Sequence, residues 1–182
     1  MGEYFRNKIW VALFVVIFLI SSSTRLSLAV TKTEINTICT GTPNPSSCFE
    51  LFKSDPHITK LNLSGLVKVL IKYAHDESLD TEKIIQLHAE SIKDPFIKKQ
   101  YSLCSNNFEY TLVPFDSALK YLAAKDFHSL NVNIAAAMTF AENCKDVFEE
   151  FHIKLDPQIL MKINDFQDLC SIPLMISTML PK

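Results

Sequence analysis

IAAAMTFAENCKDVFEEF, residues 134–151, is the stretch that decides the fold. Ile134, Met138, Ala141, Cys144, Phe148 and Phe151 recur at spacings of three and four, the period of one face of an α-helix. Glu142, Lys145, Asp146, Glu149 and Glu150 lie off that stripe, so the helix is amphipathic and must bury its apolar stripe against other elements.

The same period recurs on both sides of that helix. Leu63, Leu66, Val67, Leu70, Ile71 and Ala74 form one stripe. Asp80 or Thr81 then reads as the cap of a following helix that carries Ile84, Leu87 and Ile92. Asp94-Pro95 ends it, because a residue before proline avoids the α region. Phe96 to about Ala124 reads as one helix containing Pro114. Leu155-Asp156-Pro157 marks another boundary, after which Leu160, Ile163, Phe166, Cys170 and Leu174 lead a last helix to about Leu180. Pro114 and Pro173 predict kinks, since an interior proline removes one backbone hydrogen bond and crowds the preceding turn. Two short helices, Thr33–Thr40 and Ser46–Lys53, precede all of these. With Gly41 and Gly65 as the only glycines after residue 2, tight β turns are scarce. The expected fold is all-α: an up-down-up-down four-helix bundle over 63–182, behind a disulfide-stapled helical hairpin extension over 30–62.

Residues 1–29 read as a secretory leader. Arg6 and Lys8 precede an apolar run of 12 residues, Ile9–Ile20, and Ser27-Leu28-Ala29 offers a cut after Ala29. The run falls short of the roughly 20 residues that a membrane-spanning helix needs. The remaining 153 residues carry 15 basic and 19 acidic side chains, a net charge of −4. That size suits one domain. The lack of a basic run or basic–aromatic stripe argues against nucleic acid as a partner, and after leader removal no membrane partner is expected.

Export permits disulfides. Four paired cysteines allow three connectivities, and sequence alone does not choose among them. Local closure favours Cys39 with Cys48 across Gly41, Pro43 and Pro45, which leaves Cys104 with Cys144. In the chain-entropy view the small loop contributes about 2.5 kcal/mol and the large one about 4 kcal/mol. Cys170 is then a buried free thiol, with an intermolecular disulfide as the alternative. Asn62-Leu63-Ser64 is an N-glycosylation sequon, unused if it lies too near a packed helix.

Catalytic chemistry is not legible. His57, His75, His88, His128 and His152 show no metal-binding spacing apart from Glu149-x-x-His152. That motif is half of a di-iron signature whose second copy is missing, so it reads as a solvated helix end. His75-Asp76-Glu77 reads as an exposed segment near a helix terminus. No nucleophile elbow, phosphate loop or zinc cysteine pair occurs. No catalytic residue, cofactor or metal is expected.

The block from Cys104 to Cys144 is the most specific part of the chain. Lys125-Asp126-Phe127, Asn131-Val132-Asn133, Ala135-Ala136-Ala137-Met138-Thr139 and Cys144-Lys145-Asp146 with Phe148 resemble the plant invertase and pectin methylesterase inhibitor family. Asp94-Pro95, Leu103-Cys104 and the Cys39/Cys48 hairpin with Leu51 match it too, and the likeness spans about Ile35 to Leu180. Within the family it points to the branch of invertase inhibitors that includes pollen proteins. Phe108 stands where tyrosine is common, Ala135 where serine is frequent, and the Pro-Lys-Phe of many invertase-inhibiting members is replaced by Ala124-Lys125-Asp126-Phe127.

The resemblance implies a secreted, non-catalytic inhibitor that covers the substrate cleft of a cell-wall enzyme in a one-to-one complex. The apoplast is the expected location, with the vacuole as an alternative. Pectin methylesterase is the first choice of target and acid invertase the second. A secreted bundle with no enzyme target is a third reading. Lys125, Asp126 and Phe127 are the candidate target contacts, with Phe127 alternatively a hydrophobic anchor of the helix entry. The resemblance also implies complexes favoured at mildly acidic pH.

Overall fold

The computed structural model describes residues 29–181, so the leader, Ala29 apart, lies outside the described residues. The extension comes first. Helix α1, Lys32–Thr40, opens on a capping box: Thr31 accepts from the Glu34 N–H while Glu34 accepts from the Thr31 N–H. Helix α2, Pro45–Ser54, is capped by Asn44 and starts on a proline, which has no N–H to leave unsatisfied there. The Cys39–Cys48 disulfide bridges the two, with a Cα–Cα distance of 5.3 Å. A short 3₁₀ turn, Ile58–Lys60, leads into the bundle.

Helix α3, Leu63–Ser91, runs unbroken for 29 residues from an Asn62 cap, a length of about 43 Å. The expected boundary at Asp80 or Thr81 does not form, and His75-Asp76-Glu77 lies mid-helix rather than near an end. The reason is tertiary. Ser78 and Thr81 are fully buried, and the Ser78 hydroxyl donates to the Phe108 carbonyl of the next arm at 2.9 Å. A capping residue acts as a cap only where the chain leaves the helix, and here packing holds it in.

That next arm is α4, Pro95–Tyr110, continued by α5, Leu112–Ala124. Asp94 caps α4 by accepting from the Phe96 and Ile97 N–H groups. The expected single helix from Phe96 to Ala124 is interrupted at Thr111, whose backbone stays right-handed (φ −68°, ψ −21°). Pro114 has no N–H for the Tyr110 carbonyl and crowds that turn. The Thr111 N–H instead reaches back three residues to Phe108 at 3.1 Å, and its hydroxyl donates to the same carbonyl at 2.7 Å. Helix α6, Phe127–Glu150, and helix α7, Pro157–Met179, complete the bundle, and α7 passes through Pro173 without a break.

Helix α3 packs on α4 and α7, and α6 packs on α4, α5 and α7. The result is the expected up-down-up-down bundle, with α4 and α5 serving as one arm. Phe108 and Phe115 meet Phe166 at ring distances of 5.2 and 6.0 Å in its centre. The Cys104–Cys144 disulfide ties α4 to α6, with Cα atoms 4.4 Å apart. Cys170 is free and wholly buried, and burial pushes its thiol pKa well up, which leaves it an unreactive core side chain.

The extension folds back onto α7. The Asn44 amide donates to the Asp168 carboxylate at 2.6 Å. Tyr73 of α3 donates to Asp55, just past α2, at 2.7 Å. No helix among the described residues is long and apolar enough to cross a membrane.

Candidate functional site

The α5–α6 connection is two residues long, and its shape follows from how α5 stops. Lys125 sits in the left-handed region (φ 59°, ψ 25°). Its N–H bonds to the Leu122 carbonyl at 3.2 Å, and the Asp126 N–H bonds to Tyr121 at 3.0 Å. These are the two reverse bonds of a Schellman ending, built on lysine where glycine is usual. Asp126 at once caps α6, accepting from the Ser129 N–H at 3.0 Å. That backbone bond, the Ser129 hydroxyl and the nearby His128 hold the Asp126 carboxyl below the usual aspartate range.

The three candidate contacts therefore have different surroundings. Lys125 and Asp126 are exposed at the tip of the connection. Phe127 is half-buried against the core and lines a shallow cleft with His128, Asn131, Ser177 and Leu180. The connection thus exposes one cation and one anion side by side.

A second surface is one that the sequence pattern does not single out. Along the seam between α4 and α6, Phe96 meets Phe151 edge-on at 5.3 Å and Tyr110 meets Phe140 at 5.9 Å. The Cys104–Cys144 bridge lies between these pairs in sequence on both helices. Phe96, Phe151 and Tyr110 are 51, 44 and 54% exposed, and Leu103 stands exposed between Phe96 and Tyr110. Val113 on α5 and Val132 on α6 add further exposed apolar surface. Exposed aromatic pairs along one helix seam are a candidate interaction surface. The signal was present in the seven-residue spacing of Phe96, Leu103 and Tyr110. It was hidden because the core stripe Tyr101, Cys104 and Phe108 runs beside it with the same period.

The histidines are dispersed. His75 is half-buried mid-helix, 3.5 Å from Asp76, and His88 packs on the Tyr101 ring at 4.6 Å. Glu149 and His152 are exposed at the end of α6. Among the described residues no three His, Cys, Asp or Glu side chains are placed to hold a metal ion. Asn62 is half-buried, and its side-chain oxygen accepts from the Gly65 N–H at 2.7 Å. Glu77 pairs with Lys162 across α3 and α7 at 3.0 Å, which raises the Lys162 pKa.

Comparison with known proteins matches residues 33–176 to the family described as plant invertase/pectin methylesterase inhibitor. A pectinesterase inhibitor from Actinidia deliciosa is 33% identical, over 98% of this chain and 97% of its own. A protein from Platanus orientalis with the name "Putative invertase inhibitor" is 25% identical over 75% of this chain and 80% of its own. Identity and coverage thus lean to the pectinesterase inhibitors rather than the invertase-inhibitor branch. The crystal structure of a mutant form of a pectin methylesterase inhibitor from Arabidopsis superposes with a TM-score of 0.73 at 28% identity, covering 82% of this chain and 98% of that one.

Proposed function

The chain belongs to the plant invertase/pectin methylesterase inhibitor family, and from that premise we propose that it inhibits a pectin methylesterase by covering its substrate cleft. Binding is non-covalent and one-to-one, in the cell wall after the leader is removed behind Ala29. The observation that carries this reading is the exposed aromatic seam between α4 and α6. A disulfide ties the two helices that carry it, which limits the conformational entropy lost when a partner covers it. Large aromatic side chains of this kind are typical interface anchors.

The test is inhibition of a purified pectin methylesterase by the oxidised mature protein at mildly acidic pH. Phe96→Ala and Tyr110→Ala should each weaken inhibition by about 10-fold or more, with the fold intact by circular dichroism. Full potency in both variants would remove the seam from the interface. A titration from pH 5 to 7.5 tests the acid preference: equal affinity throughout would sink it.

Acid invertase remains the second reading, supported by the exposed Lys125–Asp126 pair at the α5–α6 connection. Alanine at Lys125, Asp126 and Phe127 should abolish inhibition of a wall invertase if that connection is the contact. Unchanged potency would assign the connection to folding alone. Inhibition of neither enzyme favours the bundle without an enzyme target.

A further inference from the structure

Val30 is the first core residue of the described chain. It is 8% exposed and belongs to the hydrophobic core, whereas Ala29 before it is exposed. The Val30 N–H donates to the Leu61 carbonyl at 2.8 Å, one residue before the Asn62 cap of α3. Thr31 is held just as firmly. Its N–H and hydroxyl both donate to the Glu34 carboxylate, at 2.7 and 2.8 Å, and its oxygen accepts from the Glu34 N–H at 3.1 Å. The chain therefore passes from exposed to fixed across one peptide bond, and that bond is the predicted leader cut.

Hydrolysis of the Ala29–Val30 amide adds one water across the bond: Ala29 leaves with a carboxylate and Val30 keeps an amine, protonated at wall pH. The nitrogen stays in place, since the buried Val30 side chain and the Thr31 capping box still fix it. What changes is the donor. A neutral amide N–H facing the Leu61 carbonyl becomes an ammonium with three N–H groups. A positive charge is disfavoured at the N-terminus of α1. The Leu61 carbonyl and the Glu34 carboxylate, bound to the very next residue, offset it.

We infer that leader removal creates a structural group: the Val30 α-ammonium, seated on the Leu61 carbonyl, fastens the extension to the entry of α3. This rests on the leader being removed behind Ala29, and not on which enzyme is the target.

The experiment uses the protein secreted by plant cells. Intact mass and N-terminal sequencing should give a chain beginning at Val30. A reagent that acylates α-amines near neutral pH should then modify Val30 about tenfold more slowly in the folded protein than in urea, because the amine must open to react. Val30→Gly, which removes the buried side chain but keeps the amine, should restore much of the rate. A chain beginning elsewhere overturns the inference together with the leader reading. A chain beginning at Val30 whose amine reacts as fast folded as unfolded overturns the inference alone and leaves the proposed inhibition untouched.

Discussion

Helix α6 is entered and left through turns that use the same device for different ends. At its entry, Lys125 closes α5 in the left-handed conformation. At its exit, His152 does the same for α6 (φ 53°), with His152 bonded to Glu149 at 3.1 Å and Ile153 to Phe148 at 2.9 Å. Both are Schellman endings without glycine. The exit turn is then tied inward: Ile153 and Leu155 pack on the core, and Tyr101 accepts the Asp156 N–H at 3.0 Å. The entry turn has a single half-buried anchor, Phe127, and leaves Lys125 and Asp126 in solvent. One backbone solution thus ends in a covered turn at one end of the helix and an exposed turn at the other.

The largest effect should come from cutting the tie of the exit turn. Tyr101 is buried between His88 and Phe148, with ring distances of 4.6 and 4.7 Å. Tyr101→Ala should cost about 3–5 kcal/mol in urea unfolding, and Tyr101→Phe, which removes only the hydroxyl that accepts the Asp156 N–H, about 1 kcal/mol. Equal costs would mean that the ring does not hold this end.

The caps come next. Asp156 accepts from the Gln158 and Ile159 N–H groups at 2.8 and 3.3 Å, so Asp156→Ala should cost about 1 kcal/mol. Asp126→Ala should lower Tm by about 2–4 °C. The Asp126 carboxyl also titrates below its ordinary value because the Ser129 N–H stabilises its charged form. Its contribution is therefore complete above the unfolded aspartate pKa of about 3.9 and is lost as pH falls through the lower folded value. Asp126→Asn, measured by Tm from pH 2 to 6, should flatten that limb. A limb unchanged by the substitution would place the titration elsewhere.

The smallest stability effect separates the two turns most sharply. Lys125→Gly and His152→Gly each relieve a left-handed side-chain residue and should each stabilise by about 0.5–1 kcal/mol. Only Lys125→Gly should also weaken inhibition, and only of an enzyme that touches the entry turn. If both variants are equally potent, the difference between the turns is architectural alone.

Much of this was readable along the chain. The stripe from Ile134 to Phe151 and the stops at Asp94-Pro95 and Asp156-Pro157 act over a turn or two of backbone, so local chemistry suffices. Asp80 and Thr81 misled because a good cap in the wrong place is silent when the chain packs on both sides of it. Pro114 predicts a kink within one helix, and the arm instead parts into two helices three residues earlier, at Thr111, where the Ser78 and Thr111 hydroxyls share the Phe108 carbonyl. Of the candidate site, the connection at Lys125 is legible only through the family resemblance. The aromatic seam was not, because two parallel stripes on α4 look alike until one is covered.

By itself the sequence determined that the protein is helical, where most of its helices begin, and that its apolar faces require one shared core. Periodicity, proline and capping chemistry are local and act before any long-range contact exists. Only the tertiary structure decided which cysteine met which, which of two stripes went inside, that α3 continues through Thr81, and that Lys125 bends left-handed into solvent. Those outcomes depend on how distant helices fill one another's grooves, and close packing selects among arrangements that the local pattern leaves equally good.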